Sequence, residues 1–166
     1  MIIKVVLLVL IFALIYLVFI KFKRVVFALK DSNNRLVQYY SVLNNWFVNK
    51  LDGKDIESYF RENGIKSVAV FGLGKLGYLL IRELEMTDID VKYYINNDEY
   101  GEIFIKENVP VSMIPPIVKT GEIHNQEQVD AIIVTPIHVY KSITLAIKKE
   151  FNGDIISLEQ LVHSSK

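Results

Sequence analysis

The chain opens on an apolar run, Val5 to Ile20, extended toward the terminus by Met1, Ile2 and Ile3 and interrupted only by Lys4. A helix of about 20 such residues crosses the roughly 30 Å hydrocarbon core of a bilayer. The run therefore predicts an N-terminal transmembrane helix, with Lys4 near enough to the end to reach the headgroups. A cleaved signal peptide has a shorter core, about 7–15 residues, ending at small residues. Here the run passes instead into Phe19-Ile20-Lys21-Phe22-Lys23-Arg24, so residues 1–24 read as an uncleaved anchor with a basic flank. Residues 25–52 form the next segment. They lack proline and, to Leu51, place Leu36, Tyr40, Leu43, Phe47 and Leu51 at steps of four, three, four and four, the pattern of an amphipathic helix. Asp31-Ser32-Asn33-Asn34 suggests a break or an N-cap ahead of it. A seam of that length falls short of three or four heptads, so packing onto the chain's own domain is expected, with dimerisation the alternative. Trp46 reads as a core residue.

The period changes over residues 53–166. After a turn at Asp52-Gly53-Lys54-Asp55, Ile56, Tyr59 and Phe60 recur at helical spacing until Asn63-Gly64 stops the helix. From Lys66 onward strands and helices alternate, which predicts a parallel sheet with helices on its faces. Strands are expected at Ser67–Phe71, Val91–Ile95, Val129–Val134 and Asp154–Ser157, with weaker extended segments at Ile103–Ile105 and Val109–Ser112. Pro115-Pro116 forces a loop or a fresh helix start. Leu76, Leu79, Leu80 and Leu84 form one helical stripe. Thr135-Pro136 reads as the cap and opening of another helix, its buried stripe being Val139, Ile143, Ala146, Ile147 and Phe151, and Leu158–Val162 as a short terminal helix. With right-handed crossovers the strands order 3-2-1-4-5, and a crevice falls between the carboxyl ends of strands one and four.

Charge and composition narrow the functional classes. Net charge is zero, yet residues 1–52 hold seven of the 19 Lys and Arg and only two of the 19 acids. Lys21, Lys23, Arg24 and Lys30 outweigh Lys4, so the positive-inside rule puts the C-terminal part of a single-pass protein in the cytoplasm. The basic stretch also suits anionic headgroups, whereas the acidic remainder would repel a nucleic-acid backbone. With no cysteine in the chain, no disulfide or cysteine zinc site is possible.

The candidate chemistry lies after the first strand. Gly72, Leu73, Gly74, Lys75, Leu76 and Gly77 spell Gly-x-Gly-x-x-Gly between a strand and a helix, the context in which the first glycine makes the turn, the second lets main chain approach a phosphate and the third lets the helix lie close on the sheet. The helix N-terminus would then hold the anion without a charged side chain. The plainer alternative is a turn that only closes a βα unit. An acid is expected about 20 residues on, at the end of strand two, to hold a ribose. Asn96 stands there, with Asp98 two residues later, and Thr135 borders the expected crevice. Lys75 sits inside the glycine triplet with no Ser or Thr after it, which is not a P-loop. No tyrosine has a lysine four residues later, and His124, His138 and His163 lack ligand spacing. No catalytic residues and no metal site are therefore assigned.

Taken together, Trp46 to Leu51, Asp52-Gly53-Lys54, Ile56 to Phe60, Gly64 to Gly77, Ile132 to Pro136 and Ile155 to Glu159 resemble a small bacterial Rossmann-like domain found among capsule and other surface-polysaccharide biosynthesis proteins, alone or appended to glycosyltransferases. Over roughly residues 44–162 the chain is similar to the nucleotide-binding part of nucleotide-sugar dehydratases and epimerases, without the catalytic half. The resemblance implies an accessory protein that binds NAD(P) or a nucleotide sugar and works beside a glycosyltransferase or another polysaccharide-synthesis partner. Many relatives of this kind carry Asp where this chain has Asn96. A non-catalytic scaffold that recruits a glycosyltransferase after losing its ligand is the alternative.

Overall fold

A single helix, α1, runs unbroken over Ile2–Leu51. The break expected at residues 31–34 is not made. Asp31 and Arg35, one turn apart, pair at 2.9 Å, and no proline or glycine interrupts the ladder there. The computed structural model describes residues 2–110, 112 and 114–165, with burial described from residue 12 onward among these. Among the described residues no helix is long and apolar enough to cross a membrane. The transmembrane helix expected from the sequence is thus not found among the described residues, in which Lys21, Lys23 and Arg24 follow closely on the apolar residues 12–20. The side chains of residues 1–11, on which the expected span also rests, lie outside the description.

The chain divides into two compact units, Met1–Tyr40 and Ser41–Lys166. The first is helical throughout its described length. In the second, the last turns of α1 precede α2 (Ile56–Glu62), β1 (Ser67–Phe71), α3 (Lys75–Leu84), β2 (Asp90–Ile95), α4 (Glu99–Asn108), β3 (Ile117–Val118), β4 (Ala131–Val134), α5 (Tyr140–Ile147), β5 (Asp154–Ser157) and α6 (Leu158–Ser164), with 3-10 turns at Thr120–Asn125 and Ile137–Val139. The sheet is five-stranded, parallel in every pairing, and ordered β3-β2-β1-β4-β5, as right-handed crossovers require. Val68 to Phe71 and Ala131 to Val134 are buried residue after residue, because helices cover both faces of a parallel sheet. Ala69, Phe71, Tyr93, Ile95, Ile132 and Val134 line one face together with Ile123 and Ile147.

The third strand is not where the sequence suggested. Ile103–Ile105 belongs to α4, started by Asp98, whose carboxylate accepts the Gly101 N–H at 2.7 Å. Within α4 Gly101 and Ile105, four residues apart, turn inward. Of Val109–Ser112, Val109 caps α4 and Val111 lies outside the described residues. The actual β3 follows the two prolines and spans two residues. The stripe on α3 is also displaced: Leu76, Leu80, Ile81 and Leu84 are buried and Leu79 is exposed. After β4, Thr135 does not cap a helix. A 3-10 turn intervenes before α5, Val139 and Ala146 are exposed, and Tyr140 Oη instead reaches back to donate to the Ile155 carbonyl at 2.7 Å.

Within the second unit the last turns of α1 pack through a face different from the expected seam. Val42 and Trp46 are buried, whereas Leu43, Phe47 and Leu51 are exposed. Trp46 is thus a core residue, as its sequence context suggested, but the seam assigned to its helix was rotated by about one residue. The anchor is polar. Glu83 of α3, 6% exposed, accepts the Trp46 Nε1–H at 2.5 Å and pairs with Lys50 Nζ at 2.6 Å. Asn49 adds a bond to the Val162 carbonyl of α6 at 2.7 Å. Removing the carboxylate would leave the indole N–H buried without a partner, whereas Lys50 remains half in water and can rehydrate. Glu83→Ala is expected to cost about 2–4 kcal/mol in urea unfolding and Lys50→Met less than about 1 kcal/mol.

At the opposite end of the sheet, Asp130 joins the start of β4 to the start of β1. Its carboxylate accepts the Lys66 N–H at 2.9 Å, the Ser67 N–H at 2.8 Å and the Ser67 hydroxyl at 3.0 Å. The two backbone donors, chiefly Lys66, hold its carboxyl below the usual range. An aspartate whose folded pKa lies below its unfolded value of about 3.9 contributes stability that is complete above about pH 5 and is lost as pH falls through the folded value. Asp130→Asn is expected to lower the urea midpoint at neutral pH, the gap from wild type closing as pH falls from about 5 toward 2.

Candidate functional site

The carboxyl ends of the strands finish level. Phe71 pairs with Ile95 and with Val134, and Ile95 with Val118. The loops that leave them are then tied together: the Gly72 N–H donates to the Ile95 carbonyl at 2.9 Å, the Thr135 N–H to Phe71 at 3.0 Å and the Asn96 N–H to Val118 at 3.0 Å. At this edge the three glycines have separate duties. Gly72 lies at φ +91°, the left-handed region that disfavours a side chain. A Cβ on it would stand 2.8 Å from the Pro136 ring and from Thr135 Oγ1. At Gly77, in the first turn of α3, a Cβ would fall 2.0 Å from the Gly72 carbonyl oxygen, so the absent side chain is what lets the helix start against the end of β1. Gly74 alone faces open space, with nothing within 4 Å of where its Cβ would stand.

Gly74 is also the N-cap of α3, and it offers no side chain to the first helical amides. Those amides have no carbonyl within the helix to bond. No acidic residue stands in the first turn, and Lys75, the first helical residue, is exposed. Leu73 and Leu76 are buried and anchor the turn from below. An uncapped helix start with an open approach and a neighbouring ammonium favours a negatively charged group.

The other residues singled out in the sequence have internal partners. Asn96 is 1% exposed. Its Nδ2 donates to the Asp98 carbonyl, and its Oδ1 lies where a Cβ on Gly101 would come within 2.8 Å, so its amide is packed beneath the first turn of α4. Asp98 is exposed and spends Oδ1 on the Gly101 N–H at 2.7 Å. Asn97 pairs with Thr120, its Nδ2 donating at 2.7 Å and its Oδ1 accepting the Thr120 N–H at 3.1 Å. Thr135 is buried, and its hydroxyl is directed at the carbonyls of Gly72 and Phe71, at 2.9 and 3.1 Å. It positions the glycine turn from the far side of the crevice and does not face into it. Pro136, which closes over Gly72, was read in the sequence only as a helix opener. A proline directly after a strand that adjoins a glycine turn is the signal for that closure.

At this edge His138 sits exposed on the 3-10 turn after β4, whereas His124 lies near the segments that lead into β4 and β5 and pairs with Glu150 at 2.7 Å. Burial pushes the Tyr94 phenol up to about 12, far from a proton-transfer role near neutrality. Among the described residues no group of His, Asp and Glu is arranged to hold a metal ion. Comparison with family models, with curated proteins and with solved structures finds no match.

The glycine geometry separates folding from binding. Gly77→Ala, which forces main chain apart, is expected to cost about 1–3 kcal/mol or more, while Gly74→Ala stays within about 0.5 kcal/mol of wild type. Parallel urea titrations of the two variants check this.

Proposed function

We propose that the unit Ser41–Lys166 binds the phosphate groups of a nucleotide, either a dinucleotide such as NAD(P) or a nucleotide sugar, at the start of α3. The observation that carries this reading is the contrast among the glycines: two are closed by neighbours that shape the turn, and the third, at the uncapped helix start, is open. In this reading the amides of Gly74 to Gly77 hold phosphate, Lys75 adds a point charge, and the exposed carboxylate of Asp98 meets a ribose hydroxyl. Asn96 is left out of the ribose contact because its amide is already engaged. Leu73 and Thr135 support the turn. The proposal is of binding, not of catalysis.

The setting proposed is surface-polysaccharide synthesis at the inner membrane, as a single-pass protein with this unit in the cytoplasm, working beside a glycosyltransferase. Its support is the sequence resemblance over residues 44–162, the apolar N-terminal run and the basic cluster behind it. The second reading, a scaffold that recruits such an enzyme with its ligand site lost, is favoured by one observation, the buried and internally bonded Asn96.

Calorimetric titration of the full chain in detergent with NAD, NADP and UDP-sugars decides between the two. Binding is expected for at least one of them, weakened about tenfold by Lys75→Ala, or roughly 1.4 kcal/mol, and abolished by Gly74→Val in a variant that unfolds like wild type. No heat with any of the three would overturn the nucleotide reading and leave the scaffold.

A further inference from the structure

The unbroken course of α1 changes what its apolar seam amounts to. Across the stretch that the sequence alone suggested as a break, Phe19, Phe22, Val26, Leu29, Asn33, Leu36 and Tyr40 follow one another at alternating steps of three and four residues. All seven lie on the one helix. The six apolar members are 46% to 71% exposed, and Asn33 is exposed as well. The same alternation continues along the sequence to Leu43 and Phe47, so the repeat covers four heptads where only the second half had been legible. A strict 3,4 repeat of this length is the requirement for a left-handed supercoil of two helices.

We infer that α1 pairs with α1 of a second copy of this chain as a parallel, in-register, two-stranded coiled coil over residues 19–40. Three features select this occupant. Asn33 takes an a position in a run of apolar a and d residues. In a parallel pair in register it meets its own copy and the two amides bond each other, whereas other registers or an antiparallel pair set it against an apolar side chain. The flanking charges agree. Lys23 and Lys30 fall at e positions, which in a parallel pair face Val18 and Val25 of the other helix, while an antiparallel pair over the same span sets Lys30 against its own copy. Beyond Lys30 the surface away from the seam is polar, with Asp31, Asn34, Arg35 and Gln38 all exposed and the Asp31–Arg35 pair formed within one helix, whereas in the preceding heptad Phe27 at a b position is exposed. In size, burying seven such side chains from each copy removes on the order of 1,000–1,500 Å² from water, comparable to the roughly 1,200–2,000 Å² of a specific dimer.

The chain has no cysteine, so single cysteines report the pairing directly. In the full chain in mild detergent, Leu36→Cys at a d position is expected to form a disulfide-linked dimer at least about tenfold faster than Gln38→Cys on the outer surface, since only facing seam positions come within the roughly 4.4–6.8 Å between Cα atoms that a disulfide allows. Sedimentation of the wild-type chain should give the mass of two copies, and the double substitution Leu29→Glu with Leu36→Glu should give one, with the helical circular dichroism of the second unit retained. A wild-type mass of one chain, as expected if the seam meets lipid or another protein, would overturn the inference. So would equal cross-linking at residues 36 and 38, or a dimer that survives the double substitution.

Discussion

Much of the second unit depends on one close approach, that of Gly77 to the Gly72 carbonyl, where a Cβ would fall 2.0 Å from the oxygen. It lets α3 begin directly on the end of β1. Thr135 and Pro136 fix the same turn from the neighbouring strand, the hydroxyl at 2.9 Å from the Gly72 carbonyl and the ring against Gly72 itself. The turn is therefore set by packing on two sides before any ligand is considered, and Gly74 is left as the one glycine of the three whose bareness the packing does not use. A backbone feature that folding does not require is where a binding function has room to operate.

The opposite side of α3 is held as firmly. Glu83 is buried, yet it takes the indole N–H of Trp46 and the ammonium of Lys50 from the end of α1. A lone buried carboxylate is costly, and two donors in good geometry offset that cost while fixing residues 46–50 against α3 within the second unit. α3 is thus positioned at its start by glycine packing and along its length by a polar anchor, which gives its N-terminal amides a defined direction.

Several features were legible in the sequence because they rest on signals that survive any tertiary context. β1 and β4 are almost wholly apolar, β2 and β5 hold shorter apolar stretches, all four bounded by turn residues, and the order follows from the handedness of crossovers. What failed was local and has physical causes. Ile103 to Ile105 looks extended by composition, but Asp98 caps a helix that contains it. A two-residue strand such as Ile117–Val118 carries too little pattern to be seen. The seam of α1 was assigned to the domain because its residues are the more apolar, whereas the domain buries Val42 and Trp46, one position away, where Glu83 supplies the partner. At the site, the glycine turn was readable and the duties of Asn96 and Thr135 were not, since a residue type cannot reveal whether its amide or hydroxyl is already bonded at home.

The central claim, that the bare turn beside α3 receives a phosphate, meets its most direct test in the amide resonances of the glycines. The chain has only 8 glycines, so glycine-selective nitrogen-15 labelling of the full chain gives a spectrum in which each signal is assignable by substitution. On addition of a nucleotide the Gly74 and Gly77 amides should move and those of Gly53, Gly64, Gly121 and Gly153 should stay. A spectrum unchanged by NAD, NADP and UDP-sugars, or one in which only the distant glycines respond, would contradict the account.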